Sequence, residues 1–237
     1  VSECHKLGIF NDPYGLIVGM PGETRETMKE SGEFIASLRY LKNIDWDTTI
    51  PFSSWAVAIP GTPLYEYCQQ IGVIGKTLEE EEDYLIRISQ YHNAKPILNY
   101  VNKTDASIKE VNYWLYLFHY VGLKAYVDLI IKNNKSIKNM LLQIYERCIK
   151  PTYNLLIYNF NLEKKSYKKK KLSQKIKWYT SLSINFLLSL SALFLPKAVL
   201  FPIVRVYAGL RFNILMKNHK VKKGKQKYNL FVERRID

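Results

Sequence analysis

The sequence predicts a chain that begins as α/β and continues as mainly α-helix. Three observations carry this. Two short apolar or β-branched runs, "YGLIVGM" and "TTIPFSSWAVAI", each end on a glycine turn and are each followed by a helical pattern. After Thr77 no further strand-like run occurs. From Lys164 onward the chain holds 19 basic and two acidic residues, a net charge of +17, whereas the first 163 residues sum to −3. The basic character therefore belongs to the tail and speaks of the tail's partner.

Taken in order, residues 1–8 read as a helix end closed by Gly8. Tyr14–Met20 is bounded by Pro13 and Gly22 and fits a strand buried on both faces. Thr24 is placed to cap the next helix, with Glu26 in its first turn. Met28, Ile35 and Leu38 form that helix's inner stripe, flanked by Phe34 and Leu41. The second strand ends at "PGTPLY", and "LYEYCQQIG" reads as a helix closed by Gly72. The order strand, helix, strand, helix predicts a βαβα unit with parallel strands.

Beyond it, Thr77 and Glu80 have capping-box spacing, so the acidic run Glu79–Asp83 reads as a helix first turn rather than a metal site. Ile108, Val111, Leu115, Phe118 and Gly122 mark one helical face, and Ile137, Leu141, Ile144 and Cys148 another. The expected organisation is a barrel-type part over 1–76, a helical extension over 77–163, a basic and apolar helical segment over 164–216 and a basic tail over 217–237.

The glycine turns are the candidate site. Gly19 and Gly22 remove side chains where the first strand leaves the sheet, which lets a flat ligand approach the backbone. Ile17 offers an apolar face just before that point, and parallel sheets bind ligands at the carboxyl ends of strands. The alternative is that Gly19, Pro21 and Gly22 only make a tight connection. The stretch lacks the ending of a phosphate-binding P-loop and the glycine spacing of a dinucleotide fingerprint.

"GLIVGMPGET", a helix, a strand ending "AIPGTPLYE" and then "IGVIG" together resemble the radical S-adenosylmethionine superfamily. The similarity is greatest to the branch that often carries a cobalamin-binding domain. It covers about the first 75 residues. The resemblance implies that 1–76 is the C-terminal βαβα portion of a partial (β/α)6 TIM-like barrel. It also implies that Gly15, Ile17 and Gly19 border the adenine of S-adenosylmethionine, with Pro21, Gly22 and Glu23 as the continuing turn. Pro60, Gly61 and Thr62 match the turn after the sixth strand. Ser53 and Trp55 are favoured as substrate-side residues, with packing of Trp55 against a helix as the equal alternative.

The family's chemistry needs a [4Fe–4S] cluster on a C-x-x-x-C-x-x-C loop, which splits S-adenosylmethionine to a 5′-deoxyadenosyl radical. Cys4, Cys68 and Cys148 lie too far apart to form that loop. The resemblance thus implies that the cluster ligands lie upstream of Val1, that this chain is the C-terminal part of a longer enzyme, inactive by itself, and that cobalamin and an electron-donor protein are further partners. No metal ligand is expected within the chain, and His5, His92, His119 and His219 show no ligand spacing. His119 reads as a hydrogen-bonded core histidine.

In the tail, Trp178–Pro196 is uncharged, and as a helix it would span ~28 Å, near the ~30 Å of a bilayer core. Five serine and asparagine residues lower its hydropathy, and both flanks are lysine-rich. Two spans, a hairpin dipping in at Pro196–Pro202, or two helices lying in the interface all satisfy those flanks. Packing on the protein's own body is the other option. Membrane contact makes a lipid or other apolar small molecule the expected substrate, and a cytoplasmic location, peripheral or monotopic on the membrane's cytoplasmic face, the expected one. Two further functions remain open: a non-catalytic, membrane-peripheral binding module, and, less favoured, a nucleic-acid binder stacking Tyr167, Trp178, Tyr179 and Tyr228 on bases.

Overall fold

The structure, a computed structural model, describes residues 3, 6–7, 16–46, 53–75, 77–89, 100–154, 157–158, 183–184 and 186–220. These residues are mostly helical. The elements are β1 (Leu16–Val18), α1 (Arg25–Leu41), β2 (Ser53–Trp55), α2 (Pro63–Gln70), α3 (Leu78–Ser89), α4 (Ile108–Asn133), α5 (Ile137–Ile144) and α6 (Lys197–Lys220). Residues 186–194 are also helical.

The expected α/β start is met only in a small form. β1 and β2 pair in parallel, with Leu16 opposite Ser53, Ile17 opposite Ser54 and Val18 opposite Trp55. The Ala56 N–H donates to the Val18 carbonyl at 2.8 Å and extends the pairing by one bond. These two three-residue strands are all the β-structure among the described residues, so no portion of a barrel is seen as such.

Local chemistry accounts for the helices. Thr24 caps α1 by accepting from the Thr27 N–H, and Thr27 Oγ1 accepts in return from the Thr24 N–H at 3.0 Å, a capping box built with threonine rather than glutamate. α1 ends where Asn43 turns to φ +55°, a left-handed position that asparagine tolerates. Pro63 opens α2 behind the cap Thr62. Ser107 opens α4 by accepting from the Glu110 N–H at 3.2 Å. Thr77 Oγ1 accepts from the Glu80 N–H at 3.3 Å, as its spacing predicts.

α4 is the centre of the molecule. Its 26 residues extend ~39 Å, and it is buried around most of its circumference, as an apolar helix without one polar face must be. α1 packs on it where Gly32 and Gly122 meet: a β-carbon on Gly32 would lie 2.7 Å from the Phe118 carbonyl, and one on Gly122 3.0 Å from the Gly32 carbonyl. Trp46 lies over the same crossing, fully buried. Its backbone N–H donates to the Arg147 carbonyl at 2.7 Å. α6 covers another side of α4, burying Leu200, Val204, Tyr207 and Ala208 in the same core as Leu188 and Ala192.

Two expectations need correction. Ile137 and Leu141 are exposed although Ile144 and Cys148 meet the core, because only the C-terminal end of that face reaches the body of the protein. Phe34 and Leu41, beside the inner stripe of α1, are exposed. Residues 186–220 of the tail pack on the body of the protein, one of the options its sequence leaves open. Among the described residues no helix is long and apolar enough to cross a membrane. The lysine blocks over 164–177 and 221–227 lie outside the described residues.

Candidate functional site

The carboxyl ends of β1 and β2 lie side by side, and the turns that leave them are glycine turns: Gly19 at φ +90°, Gly22 at +79° and Gly61 at +81°. Glu23 braces the first. Its Oε2 accepts from the Gly19 N–H at 2.7 Å, ahead of the helix rather than inside its first turn. Burial raises the Glu23 carboxyl above its ordinary value, opposed by backbone bonds at Gly19 and Met20.

Segment 100–106, which the sequence reading left inside the helical extension, caps these strand ends. The Tyr100 ring sits over Gly19, so that a β-carbon there would come within 2.4 Å of it. The Tyr100 hydroxyl lies 3.3 Å from the Gly19 carbonyl and 3.2 Å from Asn102 Oδ1, and shares one proton between them. Trp55 packs against the same ring, ring centres 4.9 Å apart. Asn102 holds the segment's shape, donating to the Ala106 carbonyl at 2.8 Å and accepting from Thr104 Oγ1 at 2.9 Å.

Lys103 is the other residue the sequence reading missed. It is 5% exposed and donates to the carbonyls of Ala56 and Val101, with its ammonium 4.7 Å from the Tyr100 ring centre. Burial pulls its pKa down to about 8, while Cys68 and Glu23 act in the opposite sense. No local signal marks Tyr100 or Lys103. Both act on residues 47 to 81 positions earlier, through contacts that only the fold creates.

The predicted residues divide as follows. Gly19, Pro21 and Gly22 form the first turn, and Ile17 stands two residues before it, 51% exposed, while Leu16 and Val18 turn towards the helices. Trp55 is buried in the main core with Val18 and Tyr100. Ser53 lies in β2 opposite Leu16. Gly15 lies outside the described residues. Pro60, Gly61 and Thr62 form the turn into α2, where Thr62 Oγ1 also donates to the Ile59 carbonyl at 2.7 Å.

Among the described residues no group of His, Cys, Asp or Glu could hold a metal ion. Cys68 and Cys148 are both buried, in separate clusters, and burial pushes both thiols up, Cys148 to about 12. A buried thiol held protonated is a poor cluster ligand, so these residues do not fit a [4Fe–4S] group. His119 is core, as expected, but among the described residues neither ring nitrogen has a hydrogen-bond partner. Comparison with protein-family models, with curated proteins and with solved structures returned no match.

Proposed function

We propose that this chain supplies one wall of the S-adenosylmethionine pocket of a radical S-adenosylmethionine enzyme, with the cluster thiolates contributed by polypeptide outside these 237 residues. The observation that carries the reading is the parallel pairing of β1 with β2, which sets two glycine turns from separate sequence motifs at adjacent strand ends. Ile17 supports it further. It is the apolar residue of β1 left half-exposed, on the face turned away from the helices, where an adenine would lie. The part taken by these residues is binding: an apolar contact from Ile17, a backbone rim at Gly19–Gly22 braced by Glu23, and water excluded behind the rim by Tyr100 and Trp55. No electron or hydrogen transfer is assigned to any residue here. An apolar or lipid substrate, an electron-donor protein and cobalamin belong to the same reading.

A second reading is favoured by one observation. Tyr100 already fills the space that Gly19 opens, so the turn has a packing reason of its own. On that reading the chain is a non-catalytic, membrane-peripheral binding module.

The coding sequence upstream of the Val1 codon, with the protein isolated together with what it encodes, separates the two. The first reading expects an in-frame three-cysteine loop, iron in the purified protein and release of 5′-deoxyadenosine from S-adenosylmethionine. It also expects Ile17→Asp to abolish S-adenosylmethionine binding while the fold persists. An iron-free protein with no such loop in frame favours the second.

A further inference from the structure

α6 has two unlike apolar faces. One, with Leu200, Val204, Tyr207 and Ala208, is buried against the core. The other carries Val199, Ile203, Val206, Leu210 and Ile214, which are 43–65% exposed. At ~100° per residue these five fall within an arc of about 80°, and at ~1.5 Å per residue they run for ~22 Å along the helix. They form one continuous aliphatic stripe rather than scattered exposed residues, and a stripe of that kind marks an interaction surface.

The charge carried by α6 itself, and by the sequence that follows it, has one sign. α6 contains Lys197, Arg205, Arg211, Lys217 and Lys220 and no acidic residue. The sequence from Lys217 to Lys227 holds six lysines, again with no acid. Arg205 and Lys197 are partly engaged, with Glu110 at 2.9 Å and Glu33 at 3.9 Å, both on the core side of the helix. Between Val199 and Ile214 the stripe offers aliphatic side chains only, with no ring and no hydrogen-bonding group. Protein interfaces are anchored by aromatic and arginine side chains in shaped pockets. A uniform aliphatic stripe followed in sequence by a run of lysines instead matches a fluid, negatively charged surface.

We propose that the Val199–Ile214 stripe seats this chain on an anionic phospholipid surface, with the axis of α6 lying in the plane of the interface. The buried face of α6 keeps the helix on the protein while the outer face enters the acyl boundary. The six lysines that the sequence holds from Lys217 to Lys227 favour an anionic over a neutral surface. Neither insertion across the bilayer nor unfolding of the tail is required. The inference stands whether or not the chain binds S-adenosylmethionine.

The test is sedimentation of the 237-residue chain with phosphatidylcholine vesicles made with and without phosphatidylserine. The comparison is with Val206→Glu and Leu210→Glu. Both side chains are exposed, so the fold should survive, and thermal unfolding followed by circular dichroism checks that it does. Binding to the phosphatidylserine vesicles is expected, with each substitution weakening it about tenfold, the value of withdrawing one such side chain from an apolar medium. Three results overturn the proposal. The substituted chains sediment as the parent does, so the lysines act alone. Binding is equal with and without phosphatidylserine. Or the chain ignores vesicles and is a dimer that Val206→Glu dissociates, which makes a second copy the occupant.

Discussion

The Tyr100 ring stands over Gly19 with its Cε2 2.4 Å from where a β-carbon would sit. Two costs therefore meet in Gly19→Ala. The residue is held at φ +90°, which disfavours an L side chain by about 1–2 kcal/mol, and the ring must move, at about 1–3 kcal/mol more. In a Tyr100→Ala background only the first cost remains. Urea unfolding of the two singles and the double should show a coupling of at least about 1 kcal/mol. Additive costs would mean that the ring does not rest on the glycine.

Lys103 gives the fold a pH signature on the alkaline side. Its folded pKa, about 8, lies below the ordinary lysine value of 10.5. Between the two the unfolded chain holds a proton that the folded chain has released, so stability rises with pH through that window. Below about pH 8 both states are protonated and the cost of burying the ammonium is fully present. The rise is cut short near pH 10, where the unfolded tyrosines begin to ionise while burial keeps Tyr65 and Tyr100 protonated to about 12. Lys103→Met should remove the rise between pH 8 and pH 10. Denaturation midpoints across that range check it, and an unchanged slope in the variant would assign the effect elsewhere.

Much of the site's frame was legible in the sequence, and its lid was not. The Gly19 and Gly22 turn, the Thr24 cap and the strands on either side all follow from local rules, in which a residue's neighbours decide its conformation. So do the apolar runs of α1 and the long helix from Ile108. Tyr100, Lys103 and Trp46 were out of reach because each owes its place to a surface assembled from distant segments. Tyr100 needs Gly19 and Trp55, and Trp46 needs the glycine crossing of α1 and α4. Periodicity failed at Ile137 and Leu141 for a different reason: a shared helical face is buried only where another element reaches it, and of this face the core meets Ile144 and Cys148 alone. The tail shows a third kind of limit. Its hydropathy fits a lipid-facing helix and a core-facing helix equally, and α6 carries an apolar face of each exposure.

His119 should govern the response to acid. Burial, with Arg39 adding to it, lowers its pKa to about 3 from the ordinary 6.5. The unfolded chain takes up a proton on this residue as pH falls below about 6.5, and the folded chain does not until about 3. Stability is therefore complete above pH 6.5 and is lost progressively as pH falls through that window. His119→Phe removes the titration and the two unpartnered ring nitrogens together, so it should flatten the pH dependence between pH 4 and pH 6.5 without lowering stability at pH 7. Proton uptake on unfolding, measured by calorimetry in two buffers of different ionisation enthalpy, should fall by about one proton near pH 5 in the variant. No fall would show that the imidazole is not buried neutral.

The helix crossing offers the sharpest steric test. Gly122→Ala suits an α-helix by intrinsic propensity and would gain about 1 kcal/mol on an exposed helix. Here the new methyl would lie 2.4 Å from Trp46 Cη2 and 3.0 Å from the Gly32 carbonyl, so α1 and α4 must separate or the indole must leave its place. Over-packing of this kind typically costs about 1–3 kcal/mol, which outweighs the propensity. The net expectation is destabilisation, with Trp46 fluorescence shifted to the red as the indole meets water. Trp46→Leu removes the nearer contact and should make Gly122→Ala cheaper by about 1 kcal/mol or more, leaving only the backbone approach of Gly32. A Gly122→Ala chain that unfolds at or above the parent's midpoint would place α1 and α4 further apart than the Gly32–Gly122 contact requires.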